Sequence, residues 1–106
     1  MKKVTNDILK QDSYFLFINS PFCGTCHVAR SMLDQIESIY HEEFFYEMNA
    51  SFFPEFMQEH KIESVPCLLI RKDNETKEKI YAFRSVSNIF KHLIYHEPER
   101  FIKDEE

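Results

Sequence analysis

Tyr14-Phe15-Leu16-Phe17-Ile18-Asn19-Ser20-Pro21-Phe22-Cys23-Gly24-Thr25-Cys26 runs from an unbroken apolar stretch, through a break, into two cysteines separated by two residues. The aromatic and branched run 14–18 predicts a short strand covered on both faces, as in a parallel sheet. Asn19-Ser20-Pro21 ends it. From Cys26 onward Val28, Ala29, Met32, Leu33, Ile36, Ile39 and Tyr40 recur at helical spacing, with Arg30, Asp34, Glu37 and Ser38 between them. That pattern predicts an amphipathic helix. The cysteine pair therefore falls where a strand gives way to a helix.

Working outward, residues 4–11 predict a short helix capped by Thr5 or Asn6. Phe44 to Met48 predicts a second strand, and Phe53 to His60 a shorter helix with Pro54 in its first turn. Val65-Pro66 precedes a third strand, Cys67-Leu68-Leu69-Ile70, and the polar run 72–76 turns the chain into a fourth over about Lys79 to Phe83. Ser85 or Ser87 caps a last helix carrying Ile89, Phe90, Leu93 and Ile94, which Pro98 ends. The first half is a βαβ unit with a right-handed crossover, and the second a hairpin closed by a helix. The fold class is α/β: a central mixed sheet of about four strands with helices on both faces. Residues 1–106 form one domain, with 1–13 as an N-terminal helical extension and 99–106 as a charged tail, apart from Phe101 and Ile102, expected to fray. A single glycine predicts that tight Asn-Gly hairpins are scarce.

Composition narrows the function. A net charge of −5 speaks against nucleic acid and against an anionic membrane surface. No stretch approaches ~18 apolar residues, and Asn6, Asp7, Lys10, Gln11 and Asp12 break up what would be the apolar core of a leader after Met1-Lys2-Lys3. The expectation is a cytoplasmic monomer. There, a close cysteine pair implies redox or metal chemistry and not a structural crosslink.

The spacing suits redox chemistry. The first N–H groups of a helix lack internal partners and carry partial positive charge, so a thiolate at Cys23 is stabilised and becomes the attacking species. Cys26, one turn further, reaches back to Cys23 to resolve a mixed disulfide. Gly24 leaves the junction open to an approaching chain. Two other readings of the pair exist. Cys23-x-x-Cys26-His27 matches the c-type haem attachment pattern, which needs export and an axial ligand. A zinc site needs four ligands, for which Cys23, Cys26, His27 and Cys67 would have to converge, and helical neighbours such as Cys26 and His27 rarely share one ion. The expectation is no metal and no cofactor, with His27 a half-exposed first-turn residue that modulates the thiols. Cys67 is expected to be a buried core residue, with a third redox thiol as the alternative. Phe52, Phe53, Phe56 and Met57 have two readings, a partner-binding patch or, as helical spacing favours, core packing; His92 and His96 lie one turn apart on the last helix, a weak metal signal.

Phe22-Cys23-Gly24-Thr25-Cys26 at the head of a helix, with Val65-Pro66 before a later apolar strand, resembles the thioredoxin family from about Tyr14 to Glu97. The resemblance implies a thioredoxin-like fold, a cis peptide bond at Pro66 beside the sulfurs, and a Val65 backbone that meets an extended substrate. It implies a substrate-binding surface of Phe22, Gly24, Thr25, Val65 and Pro66. Phe22 stands where the family usually has Trp, and Thr25 where it usually has Pro. The family's buried Asp falls at Phe17 and its partner Lys at Glu47. Glu47 is the candidate replacement: a buried carboxylate near Cys26, raised in pKa by desolvation, that shuttles the thiol proton. The typical N-terminal strand is expected to be shortened or absent.

The implied activity is thiol–disulfide oxidoreduction, running as a protein disulfide reductase. Its partners are protein disulfides and an electron donor, either a reductase or a low-molecular-weight thiol. The alternative is a non-catalytic thioredoxin-fold adaptor or thiol-based redox sensor.

Overall fold

The structure, a computed structural model, describes residues 1–101. In chain order these form β1 (Lys2–Lys3), α1 (Asn6–Leu9), β2 (Tyr14–Asn19), α2 (Gly24–Tyr40), β3 (Phe45–Asn49), a 3-10 turn (Ala50–Phe52), α3 (Pro54–Glu59), β4 (Cys67–Lys72), β5 (Glu75–Ile80), α4 (Val86–His96) and α5 (Pro98–Phe101). The sheet has five strands in the order β1-β3-β2-β4-β5. β3 runs parallel to β1 and β2, while β4 runs antiparallel to β2 and β5. The fifth strand, β1, is the shortened N-terminal one, two residues pairing Lys2 with Tyr46 and Lys3 with Glu47.

β2 lies at the centre with both faces covered, which is why its sequence is continuously apolar. Phe15 and Phe17 join one core with Ala29, Leu33 and Ile36 of α2 and Ile89 and Leu93 of α4. Tyr14, Leu16 and Ile18 join the other, against Val4, Ile8, Phe53, Phe56 and Met57. Helices α2 and α4 cover one face, and α1 and α3 the other.

Four features depart from the sequence-based expectations. The fourth long strand spans 75–80, earlier than the expected 79–83, because Asp73 and Asn74 turn the chain with φ of 55° and 63°. A tight hairpin thus forms without glycine, since Asp and Asn tolerate the left-handed region. Phe101 is buried against Tyr40, Phe44 and Phe90, so this residue of the expected tail belongs to the core while Glu99 and Arg100 are exposed; 102–106 lie outside the described residues. Glu37 is buried, its Oε2 accepting the Phe44 and Phe45 N–H groups at 2.9 Å each. Val28 and Ile39, assigned to the apolar stripe of α2, face outward.

Candidate active site at the head of the second helix

Cys23 is the N-cap of α2, in extended backbone at φ −104° and ψ 107°. Its Sγ accepts the Cys26 N–H at 3.2 Å, taking the place that a Ser or Asp oxygen has at other helix starts. The Cys23 carbonyl accepts from the same N–H at 3.2 Å. Cys23 and Cys26 form a disulfide, with Cα atoms 5.2 Å apart. The two sulfurs differ in access: Cys26 is buried, while Cys23 is half-buried and faces outward. Thr25 Oγ1 lies 3.4 Å from Cys23 Sγ.

The Val65–Pro66 peptide bond is cis, and it brings the Val65 carbonyl to 4.0 Å from Cys23 Sγ. Phe22 is 95% exposed beside the pair. A Cβ at Gly24 would meet nothing within 4 Å, so no neighbouring group among the described residues requires glycine there. The five expected surface residues therefore gather at one end of the sheet.

Glu47 is not set in apolar surroundings as expected. Its Oε2 receives the Arg30 guanidinium at 2.5 Å and the Asn19 amide at 3.2 Å. The physical reason lies in position: Glu47 pairs in register with Phe17, whose side chain packs against α2, and Arg30 of that helix reaches the Glu47 carboxylate. Glu47, Arg30, Asn19, His27 and Cys26 share the lining of a cavity of about 490 Å³. Arg30 and Asn19 were missed as site residues. Arg30 sits one turn beyond Cys26 on the same helical face, a spacing that does signal it. His27 is exposed at the edge of the same cavity, more so than expected.

Cys67 is free and fully buried at the start of β4, and burial pushes its thiol up to about 12. It is a core residue. His92 and His96 both meet Glu78, at 2.8 and 2.7 Å, away from the cysteines. Among the described residues no three His, Cys, Asp or Glu side chains come together as a metal-holding group, and no helix is long and apolar enough to cross a membrane.

A mixed sheet of this order, helices on both faces and a cysteine pair capping the helix after the central strand define a thioredoxin fold with a dithiol–disulfide site. The crystal structure of oxidised mitochondrial thioredoxin 3 from Saccharomyces cerevisiae superposes with a TM-score of 0.68 at 19% identity, covering 87% of this chain and 92% of that one. The family model for thioredoxin matches residues 2–94. Among curated proteins, thioredoxin-like protein YusE of Bacillus subtilis (strain 168) is 39% identical over 84 residues, 79% of each chain. Thioredoxin M4, chloroplastic, of Arabidopsis thaliana is 32% identical over 62 residues, which are 58% of this chain and 32% of that protein. The chain belongs to the thioredoxin family. Its site is of the thiol–disulfide oxidoreductase kind.

Proposed function

We propose that the chain is a cytoplasmic protein disulfide reductase. The observation that carries this reading is the asymmetry of the pair: Cys23 Sγ at the helix N-terminus, in reach of the Cys26 N–H, and Cys26 buried behind it. In the reduced protein the Cys23 thiolate attacks one sulfur of a partner's disulfide. A Cys23–partner bond forms, the partner's S–S bond breaks, and the other partner sulfur leaves as a thiolate. Cys26, deprotonated, then attacks Cys23 Sγ, which releases the second partner thiolate and leaves the Cys23–Cys26 disulfide. An electron donor, a reductase or a small thiol, returns two electrons to the pair.

Helix N–H groups favour the anion at Cys23 by about 0.3–1 kcal/mol, and Val65 O is within reach of a substrate's extended backbone or of the Cys23 thiol. Glu47 takes the Cys26 proton across the shared cavity, with Arg30 and Asn19 fixing the carboxylate's orientation. Phe22, Gly24, Thr25, Val65 and Pro66 form the surface on which the substrate lies.

Insulin reduction by dithiothreitol, with Cys23→Ser as control, tests the reading, together with the reduction potential of the pair in a thiol buffer. Cys23-dependent acceleration and a potential near ~−270 mV are expected. A potential above about −200 mV makes the protein an oxidant or isomerase, and absence of Cys23-dependent turnover makes it an adaptor or redox sensor.

A further inference from the structure

Two aromatic side chains stand out in solvent at the active end of the sheet: Phe22, immediately before Cys23, and Phe52, 75% exposed in the 3-10 turn after β3. Both lie outside the two cores. Phe52 also lines the 490 Å³ cavity, where Val4, Pro21, Met48 and Phe53 give it an apolar wall that meets Cys26. Its volume falls within the range of ligand pockets, about 300–1,000 Å³, and holds one aromatic or branched side chain.

We propose that this cavity is a specificity pocket: it takes a bulky apolar side chain of the partner polypeptide, carried within about three residues of the cysteine that bonds to Cys23. The inference rests on the exchange reading above. Continuity with the cysteine pair identifies the occupant. A partner sulfur bonded to Cys23 is tethered beside Cys26, whose Cα is 5.2 Å from that of Cys23 and whose residue forms part of the cavity lining. Extended chain advances about 3.3 Å per residue, so side chains two or three positions away sweep the cavity. Arg30 is already paired with Glu47, and Lys3 adds a further cation to the lining of a chain that is otherwise acidic. Filling the cavity covers the exposed ring of Phe52, and burial of apolar surface is the driving force.

Two disulfide-linked peptides, identical except for Phe or Ala two residues from the cysteine, test this. Wild-type protein is expected to reduce the Phe peptide roughly tenfold faster per unit concentration than the Ala peptide. Phe52→Ala, a change at an exposed position, brings that ratio to within about twofold. In parallel, each peptide is joined chemically to Cys23 in a Cys26→Ser chain, and Overhauser contacts from the peptide ring are recorded. Contacts to Phe52 and Met48 support the pocket. A ring that touches neither, a wild-type ratio below twofold, or a ratio unchanged in Phe52→Ala overturns it. If neither peptide is turned over, the reductase reading fails, while the tethered contacts still decide the pocket.

Discussion

Arg30 Nη1 lies 2.5 Å from Glu47 Oε2 and ties the active-site helix α2 to strand β3. Two roles follow for that pair: holding the carboxylate toward the cavity beside Cys26, and linking α2 to β3. Glu47→Gln keeps the shape and removes the charge. Disulfide release by Cys26 is expected to slow at least tenfold, with a changed pH profile, while attack by Cys23 on a first disulfide stays near wild type. Stopped-flow measurement of the two steps separates them, and an unaltered second step with an unaltered pH profile excludes Glu47 as proton acceptor.

His41 follows α2 with φ of 54°, a left-handed position that costs a residue bearing a Cβ about 1–2 kcal/mol. Glycine adopts it freely. His41→Gly is expected to raise unfolding free energy by about 1 kcal/mol in urea titrations. No gain would mean that the exposed His41 side chain offsets its own backbone strain.

Phe101 packs its ring 5.1 Å from that of Phe44 and 5.6 Å from that of Tyr40, and its carbonyl accepts the Tyr40 hydroxyl at 2.6 Å. Phe101→Ala leaves a cavity in that aromatic cluster and is expected to cost about 3 kcal/mol. Denaturant midpoints measure it, and a loss under 1 kcal/mol would show that this end of the chain contributes little to the core.

His60 stacks on Phe56 at 4.1 Å between ring centres, and its pKa is lowered, first by desolvation and then by Arg71 and Lys79. A histidine whose folded pKa lies below its unfolded value binds fewer protons when folded. Its stabilising contribution is therefore full above about pH 6.5 and is lost as pH falls below that. Between pH 7 and pH 5 the wild type is expected to lose stability more steeply than His60→Gln. Parallel slopes would show that the site titrates alike in both states.

The parts legible from sequence were those with one dominant physical signal. β2 announced itself by an apolar run sealed on both faces, and α2 by periodic Ala29, Leu33 and Ile36 behind a cysteine at a strand–helix junction. The start of β5 is not legible, and the apolar pattern points about four residues late, because 75–79 is Glu-Thr-Lys-Glu-Lys, an edge stretch with no apolar alternation. Glu37 hid in a polar list although it satisfies two backbone donors of the next strand. The cysteine pair and the Val65–Pro66 step could be named from the chain. The one-turn spacing of Arg30 from Cys26 is also in the chain, but its pairing with Glu47 and that of Asn19 with the same carboxylate depend on how α2 crosses β3, and that is a tertiary fact. Helical spacing favours a core position for Phe52, whereas the 3-10 turn leaves it exposed while Phe53, Phe56 and Met57 pack against the core.

Cys67 sits directly beside Ile18 in the sheet register, one residue past the cis proline, and is sealed from solvent. The consequence is stoichiometric. Although the chain holds three cysteines, only Cys23 reaches the surface, Cys26 is buried within bonding reach of it, and Cys67 is free and buried, so electrons are exchanged in pairs through the Cys23–Cys26 couple. An accessible third thiol would offer side exits, such as scrambled crosslinks or covalent dimers. Sealing it leaves a single couple with a single midpoint.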